Sequence, residues 1–253
     1  HDPHMGLSFS IWNSLLFALW FSWIKTRTAM VNGNTDVEEK CLRYVLENAT
    51  AGDPSSVVAA MDAFGYKNWV MAVGDVKGEI IDKQIVLKKP TVMVEIGCYC
   101  GYSAIRFGSL QKKLRPSGRY FSFEFNPAYA AIARQIIEFA GLSDSVSVIV
   151  GGFAEKYEEL RGMNIPCVDM FFIDHMKELY VPDVKRIESS ALLQKGSVII
   201  ADNIIYPGAP KYIQYMYSNR NFQSTTVETT LEYTNRDDQP IKDAVLISVY
   251  DPQ

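Results

Sequence analysis

Two apolar runs that stop abruptly in oxygen-bearing side chains constrain this chain more than any other feature. The first, VDMFFI, ends in Asp174-His175-Met176-Lys177, and the second, SVIIA, ends in Asp202-Asn203. Both are rich in β-branched or aromatic residues, and a stretch of helical length lies between them. Such a connection joins neighbouring parallel strands by a right-handed crossover, since a tight turn cannot bring parallel strands together. Their carboxyl ends then sit about 5 Å apart, one strand spacing. Asp174, Asp202 and Asn203 therefore converge on one point as hard oxygen donors, a set that suits Mg²⁺ and not zinc. Lys177, three residues past Asp174, is placed to act on whatever such a cation holds.

Upstream, TVMVEIGCYCGYS reads as a buried strand over Thr91–Ile96, a turn holding Gly97 and Gly101, and a helix from Tyr102. A second strand, YFSFEF, carries Glu124 at its end, about twenty residues beyond that turn, where an acid can bind two ribose hydroxyls. The pattern Glu95-x-Gly97-x-x-x-Gly101 lacks the G-x-G-x-x-G that seats a diphosphate on a helix N-terminus. A glycine turn without that cradle suits an adenosyl ligand with no phosphate, such as S-adenosylmethionine.

The rest of the chain alternates. Helices are expected over Val37–Asn48, from Asp53-Pro54 as N-cap and first turn, and over Val76–Leu87. Strands follow at Thr91–Ile96, Tyr120–Phe125, Val146–Val150, Val168–Ile173 and Ser197–Ala201, with helices between them. The chain closes with Thr225–Tyr233 and Ala244–Tyr250, joined through Arg236-Asp237-Asp238. This order predicts an α/β fold: a doubly wound, mostly parallel seven-stranded sheet with an antiparallel C-terminal edge. In such a sheet the ligand site lies outside the carboxyl ends of the strands at the topological switch point, where both groups of residues fall.

Composition narrows the function classes. A net charge of −4 argues against a nucleic-acid surface. Cys41, Cys98, Cys100 and Cys167 have no zinc-site spacing, and the Cys98/Cys100 pair on one glycine turn is poorly placed for a disulfide. A reducing compartment is expected for the domain. At the N-terminus, His1–His4 ahead of Met5 read as an expression remnant, within residues 1–5. From Gly6 to Ile24 there is no charge, and Lys25 and Arg27 follow. That pattern, residues 6–27, reads as a membrane anchor with the following domain on the cytoplasmic side. A cleaved signal peptide and an interfacial helix, given the diluting Ser8, Ser10, Asn13, Ser14 and Ser22, remain alternatives. Residues 28–35 read as a linker and 36–253 as the domain.

The segments NWVMAVGDVKG, EIGCYCGYSAIR, FEFNPAYAAIA, FFIDHMKELY, IIADNIIYPGAP and TLEY, in this order, resemble the catechol O-methyltransferase family from Val37 to Tyr250. The resemblance implies an S-adenosylmethionine- and Mg²⁺-dependent methyl transfer to one hydroxyl of a small-molecule catechol. It implies Asp174, Asp202 and Asn203 as metal ligands, Lys177 as general base and Glu232 as the acid that hydrogen-bonds the second hydroxyl. It also implies cofactor contacts at Val73, Gly97, Tyr99, Ser103, Glu124, Phe125, Asp174 and His175. Met71 is expected near the transferring methyl group, and Trp69 and Pro207 as apolar walls for the substrate ring, alongside Lys177, Asn203 and Glu232. The transfer is an in-line displacement that needs the phenol oxygen as an anion, so Lys177, with a reference pKa near about 10.4, must be lowered to act as the base.

Two positions depart from the family's pattern. Met176 stands where a tryptophan is usual between the His and Lys of FFIDHMKELY, so an aromatic wall is lost. Phe153 and Ala154 replace a hydroxyl and amide pair beside the adenine, which leaves stacking by Phe153 as the expected substitute. Three other functions compete. A cation-dependent O-methyltransferase of phenolic thioesters would share the metal site. A membrane-tethered scaffold would keep the fold without the chemistry. A nicotinamide oxidoreductase would need the missing phosphate motif. The Asp174, Asp202, Asn203, Lys177 and Glu232 set weighs against the last two.

Overall fold

A computed structural model describes residues 35–253 of the chain, so the readings of the hydrophobic leader and of most of the linker lie outside the described residues. No helix among the described residues is long and apolar enough to cross a membrane. Three helices come first: α1 (Asp36–Asn48), α2 (Pro54–Asn68) and α3 (Gly74–Lys88). The alternating part follows as β1 (Val92–Ile96), α4 (Tyr102–Leu114), β2 (Arg119–Glu124), α5 (Pro127–Phe139), β3 (Val146–Val150), the short α6 (Phe153–Lys156) and α7 (Glu159–Gly162), and β4 (Met170–Ile173). It continues through α8 (Tyr180–Ser189), β5 (Val198–Ala201) and α9 (Pro210–Ser218) to β6 (Phe222–Thr230) and β7 (Lys242–Tyr250).

Local chemistry sets the helix starts. Asp53 accepts from the backbone N–H groups of Ser55 (2.9 Å) and Ser56 (3.3 Å), with Pro54 in the first turn of α2. Asn126 does the same for α5, accepting from Ala128 N at 2.9 Å ahead of Pro127.

The strands form one seven-stranded sheet in the order β3-β2-β1-β4-β5-β7-β6. β1 to β5 are parallel, and β7 runs antiparallel to both β5 and β6. This is the doubly wound sheet expected from the alternation, with β7 inserted inside the edge strand β6. Strands β1, β4 and β5 are buried at every position, as parallel strands covered on both faces must be. Period-two alternation sorts their side chains. Met93, Met170, Phe172 and Ile200 pack with α1 to α5, whereas Val94, Ile96, Phe171, Ile173 and Ile199 pack with α6 to α9.

Two expectations are corrected. The sixth strand spans Phe222–Thr230 and not Thr225–Tyr233, so Glu232 lies in the turn beyond it. The run TTLEY reads as strand because Leu231 and Tyr233 are apolar, but both are buried to anchor the turn. Thr234 N closes back on Leu231 O at 3.2 Å, and Tyr233 adopts φ 59°. Phe153 is 2% exposed and packs edge-on against Phe123 (5.2 Å) and Phe171 (6.3 Å). It is core and offers no free face for stacking on an adenine.

Glu95 sits in the middle of this sheet, wholly buried, and accepts from Ser122 Oγ on β2. Burial pushes its carboxyl up to about 8, against hydrogen bonds from Ser103 and Ser122 that draw it down. The unfolded chain releases this proton near the ordinary value of 4.5, so the group favours the fold most below that pH. Its contribution is lost as pH rises from there towards about 8. Glu95→Gln should therefore leave the fold intact, and its stability relative to wild type should rise between about pH 5 and pH 8 in denaturant titrations. A difference that stays constant over this range would mean that Glu95 is ionised in the fold.

Candidate active site at the carboxyl ends of the strands

The sheet's hydrogen-bond ladder runs one residue past β4 and β5, which fixes where the oxygen donors emerge. Asp174 N donates to Ile96 O at 2.9 Å and Asp202 N to Ile173 O at 3.1 Å, so Asp174 and Asp202 leave adjacent strands side by side. Asn203 follows in a left-handed conformation (φ 53°) that asparagine tolerates, its N–H bound to Asp202 Oδ1 at 2.7 Å. Lys177 Nζ reaches Asp174 Oδ1 (3.1 Å) and Asn203 Oδ1 (3.2 Å) at once. The same ammonium donates to Tyr180 Oη at 2.6 Å, and Tyr180 donates in turn to Asp202 O at 3.1 Å. Lys177, Asp174 and Asn203 thus share one point between two strand ends, and Tyr180 fixes the direction from which the amine approaches.

Glu232 enters from the turn after β6. Its Oε2 lies 3.3 Å from Asn203 Nδ2, and its Cβ stands against the start of α3, where a Cβ built on Gly74 would be 3.2 Å away. That contact brings the segment carrying Met71 and Val73 beside Glu232. Val73 itself is buried in the core. Met71 and Trp69 are half-buried, with Trp69 packed against the same core, and Pro207 is exposed.

The glycine turn forms a second cluster. Gly97 (φ 104°) runs so close to the end of β4 that a Cβ there would lie 2.3 Å from the Asp174 carbonyl oxygen. Glu124 at the end of β2 accepts from Cys98 N (3.1 Å), Tyr99 N (2.7 Å) and Asn126 N (2.8 Å), which locks the acid to the turn. Burial raises its pKa while these amides draw it down. Phe125 beside it is 76% exposed. Ser103 lies buried in the first turn of α4. The Tyr99 hydroxyl turns away from the turn and donates to Glu38 on α1 at 2.6 Å. His175 Nε2 pairs with Asp183 Oδ2 on α8 at 2.8 Å, and its ring stacks on Tyr180. Burial lowers the imidazole's pKa against the pull of that carboxylate. Met176 stands 47% exposed at the rim.

Sequence reasoning missed Lys77 and Asp243. Lys77, on α3, is wholly buried, with its ammonium 2.7 Å from Glu232 Oε2, 2.8 Å from Asp202 Oδ2 and 3.1 Å from Asp243 Oδ2. Burial alone would lower its pKa; Asp202, Glu232 and Asp243 outweigh that and hold it well above the ordinary value. Asp243 Oδ2 also accepts from Asn203 Nδ2 at 3.0 Å. The only signal of Lys77 in the sequence was its place in NWVMAVGDVKG, where a mid-helix lysine reads as a solvated one. The pocket therefore sets the carboxylates of Asp174, Asp202, Glu232 and Asp243 against the ammonium groups of Lys77 and Lys177. Burial and this crowding push the Asp202 carboxyl up from its ordinary value although Lys77 pulls it down. Among the described residues no group of three or more His, Cys, Asp and Glu side chains is arranged to hold a metal. The expected ligand set is instead two carboxylates and an amide.

Residues 50–248 match the O-methyltransferase family. The chain is 40% identical to the catechol O-methyltransferase of Bos taurus, over 90% of this chain and 81% of that protein. It is 31% identical to a transmembrane O-methyltransferase of Homo sapiens, over 85% of this chain and 72% of that one. Among solved structures, cofactor-bound Rv0187 from MTB superposes with a TM-score of 0.65 at 23% identity, over 79% of this chain and 91% of that chain, which shows the shared fold.

The close approach at Gly97 generates a prediction. Gly97→Ala places a methyl group inside the Asp174 carbonyl and forces a positive φ on a residue with a Cβ. A loss of at least about 2 kcal/mol of stability is expected in denaturant titrations, together with displacement of Asp174. Unchanged stability would mean that the two strand ends can separate freely.

Proposed function

Because the chain belongs to the O-methyltransferase family, we propose that it transfers the methyl group of S-adenosylmethionine to one hydroxyl of a catechol, with Mg²⁺ at Asp174, Asp202 and Asn203. The observation that carries this reading is the meeting of Lys177 with Asp174 and Asn203 across two strand ends, with Glu232 within reach of the same asparagine. The donor set fits a divalent cation, since it consists of hard oxygens in a pocket where four carboxylates face two ammonium groups. The turn around Gly97 fits an adenosyl group without phosphate. Glu124 stands at its rim, held at the end of its strand by the backbone amides of Cys98, Tyr99 and Asn126, where an acid can meet ribose hydroxyls.

When bound, S-adenosylmethionine supplies an electrophilic methyl group, and the divalent cation supplies charge that acidifies and orients the acceptor hydroxyls. Lys177, having first given up a proton to solvent, takes as the neutral amine the proton of the hydroxyl to be methylated. Tyr180 holds that amine in place through its hydroxyl, which is itself tied to the backbone at Asp202. Glu232 accepts a hydrogen bond from the second hydroxyl, which selects a vicinal diol over a simple phenol. Trp69 and Pro207 are the candidate apolar walls for the ring. His175 and Glu124 are the candidate adenosine contacts.

Purified enzyme should methylate catechol in the presence of Mg²⁺, lose that activity with a chelator and regain it on re-addition. It should leave phenols with a single hydroxyl almost untouched. Preference for a phenolic thioester, or full activity in chelator, would overturn the catechol or the cation reading respectively. Lys177→Met keeps much of the side chain's packing while removing the basic nitrogen. Turnover is expected to fall about 10²- to 10⁴-fold with little change in S-adenosylmethionine affinity measured by calorimetry. Turnover near wild type at neutral pH would remove Lys177 as the base.

The charge-free segment Gly6–Ile24 and its basic flank support a further part of this reading: that the segment tethers the enzyme to a membrane, with the catalytic domain on the cytoplasmic side. A chain beginning near Asn34 should then keep full activity without detergent while the full chain sediments with membranes. Full-length, uncleaved chain in the soluble fraction would sink the anchor.

A further inference from the structure

Lys77 has no exposed surface, and its ammonium is held by carboxylates from three separate places: the end of β5, the turn after β6 and the start of β7. A fold does not need such a group. Replacing buried ion pairs by apolar side chains of similar size is often neutral or stabilising, so the cluster calls for another reason. The geometry at Glu232 supplies one. Both of its described contacts, from Lys77 at 2.7 Å and Asn203 Nδ2 at 3.3 Å, fall on Oε2. Asp243 extends the connection. While its Oδ2 meets Lys77, its Oδ1 accepts from Ile205 N (3.2 Å) and Tyr206 N (3.0 Å), immediately before Pro207.

We propose that Lys77 is a positioning residue for the acceptor: its ammonium holds Glu232 by Oε2, turns Oε1 towards the acceptor's second hydroxyl, and ties that carboxylate to Asp202 and to the loop carrying Pro207. This rests on the reading of Glu232 as the acid that receives the catechol. Lys77 touches neither the acceptor nor the cofactor. It sets the register between the two carboxylates that must act on one ring, and between them and one wall of the ring's pocket. An uncharged side chain of similar size fills the space but leaves Glu232 free to rotate.

The test compares wild type, Lys77→Met, Asp243→Asn and the double variant Lys77→Met/Asp243→Asn, which removes one positive and one negative charge together. Calorimetry gives the affinity of each for S-adenosylmethionine, and then for catechol in the presence of Mg²⁺ and S-adenosylhomocysteine, so no turnover enters the readout. Thermal unfolding reports the fold. Lys77→Met is expected to weaken catechol binding about tenfold or more while S-adenosylmethionine affinity stays within about twofold. If Lys77→Met does not fold, the double variant decides, because it restores the charge balance. Under the proposal it binds cofactor normally yet remains impaired for catechol, since Glu232 still lacks its anchor.

Recovery of catechol affinity in the double variant would assign Lys77 to charge compensation alone and overturn the proposal. So would wild-type catechol affinity in a folded Lys77→Met, or failure of both variants to fold. Failure of the catechol reading itself looks different: wild-type enzyme would then bind no catechol under the same conditions, and the proposal would fall with it.

Discussion

The carboxyl ends of parallel strands must lie at the same edge of the sheet, and everything functional in this protein depends on that constraint. A crossover of helical length returns the chain to the start of the next strand, so β1, β2, β4 and β5 all discharge their final residues on one side. The order β3-β2-β1-β4-β5 runs outward from β1 in both directions, so a crevice opens between β1 and β4. Gly97 and Asp174 face each other across it at a separation that leaves no room for a Cβ. The glycine is thus required less by the turn it makes than by the strand beside it. It joins the two clusters, since Asp174 belongs to the oxygen donors and Gly97 to the turn that Glu124 ties down.

Charge is the second organising quantity. Pairing Lys77 and Lys177 with four carboxylates leaves an excess of negative charge in a pocket where desolvation makes such an excess costly. The raised Asp202 carboxyl is the direct expression of that cost. Under the proposed function a bound cation would offset that excess, and the two lysines would divide the work by position. Lys177 is partly accessible and bridges Asp174 and Asn203, which suits proton transfer. Lys77 is sealed from water behind Asp202 and Glu232, which suits orientation.

Around these groups stands a layer of side chains that touch the working residues and hold them. Tyr180 takes Lys177 on one side of its hydroxyl and the Asp202 backbone on the other, while its ring supports His175. Asp183 fixes the orientation of His175 from α8, and Glu38 on α1 captures the Tyr99 hydroxyl. The departures from the family pattern fall into two kinds. Met176 lies at the exposed rim, where a thioether still offers apolar contact, whereas Phe153 has been absorbed into the core against Phe123 and Phe171.

The sequence alone determined the alternation of strands and helices, the strand ends at Asp174, Asp202 and Glu124, and the glycine turn. Each of these is written in short-range pattern: an apolar run, its length, and the residue that stops it. It also located Lys177, because three residues of spacing from Asp174 survive in any local geometry. It misplaced the end of β6, since Leu231 and Tyr233 carry the apolar signal of a strand while serving to anchor a turn. Lys77 and Asp243 were invisible for a different reason. A lysine within a helix and an aspartate opening a strand look solvated until the pieces that surround them are known, and those pieces lie more than 100 residues apart in Lys77's case. Only the packing of α3 beneath the β6–β7 turn decides that this ammonium is buried. Once it is buried, electrostatics leaves it no choice but to gather the carboxylates around it.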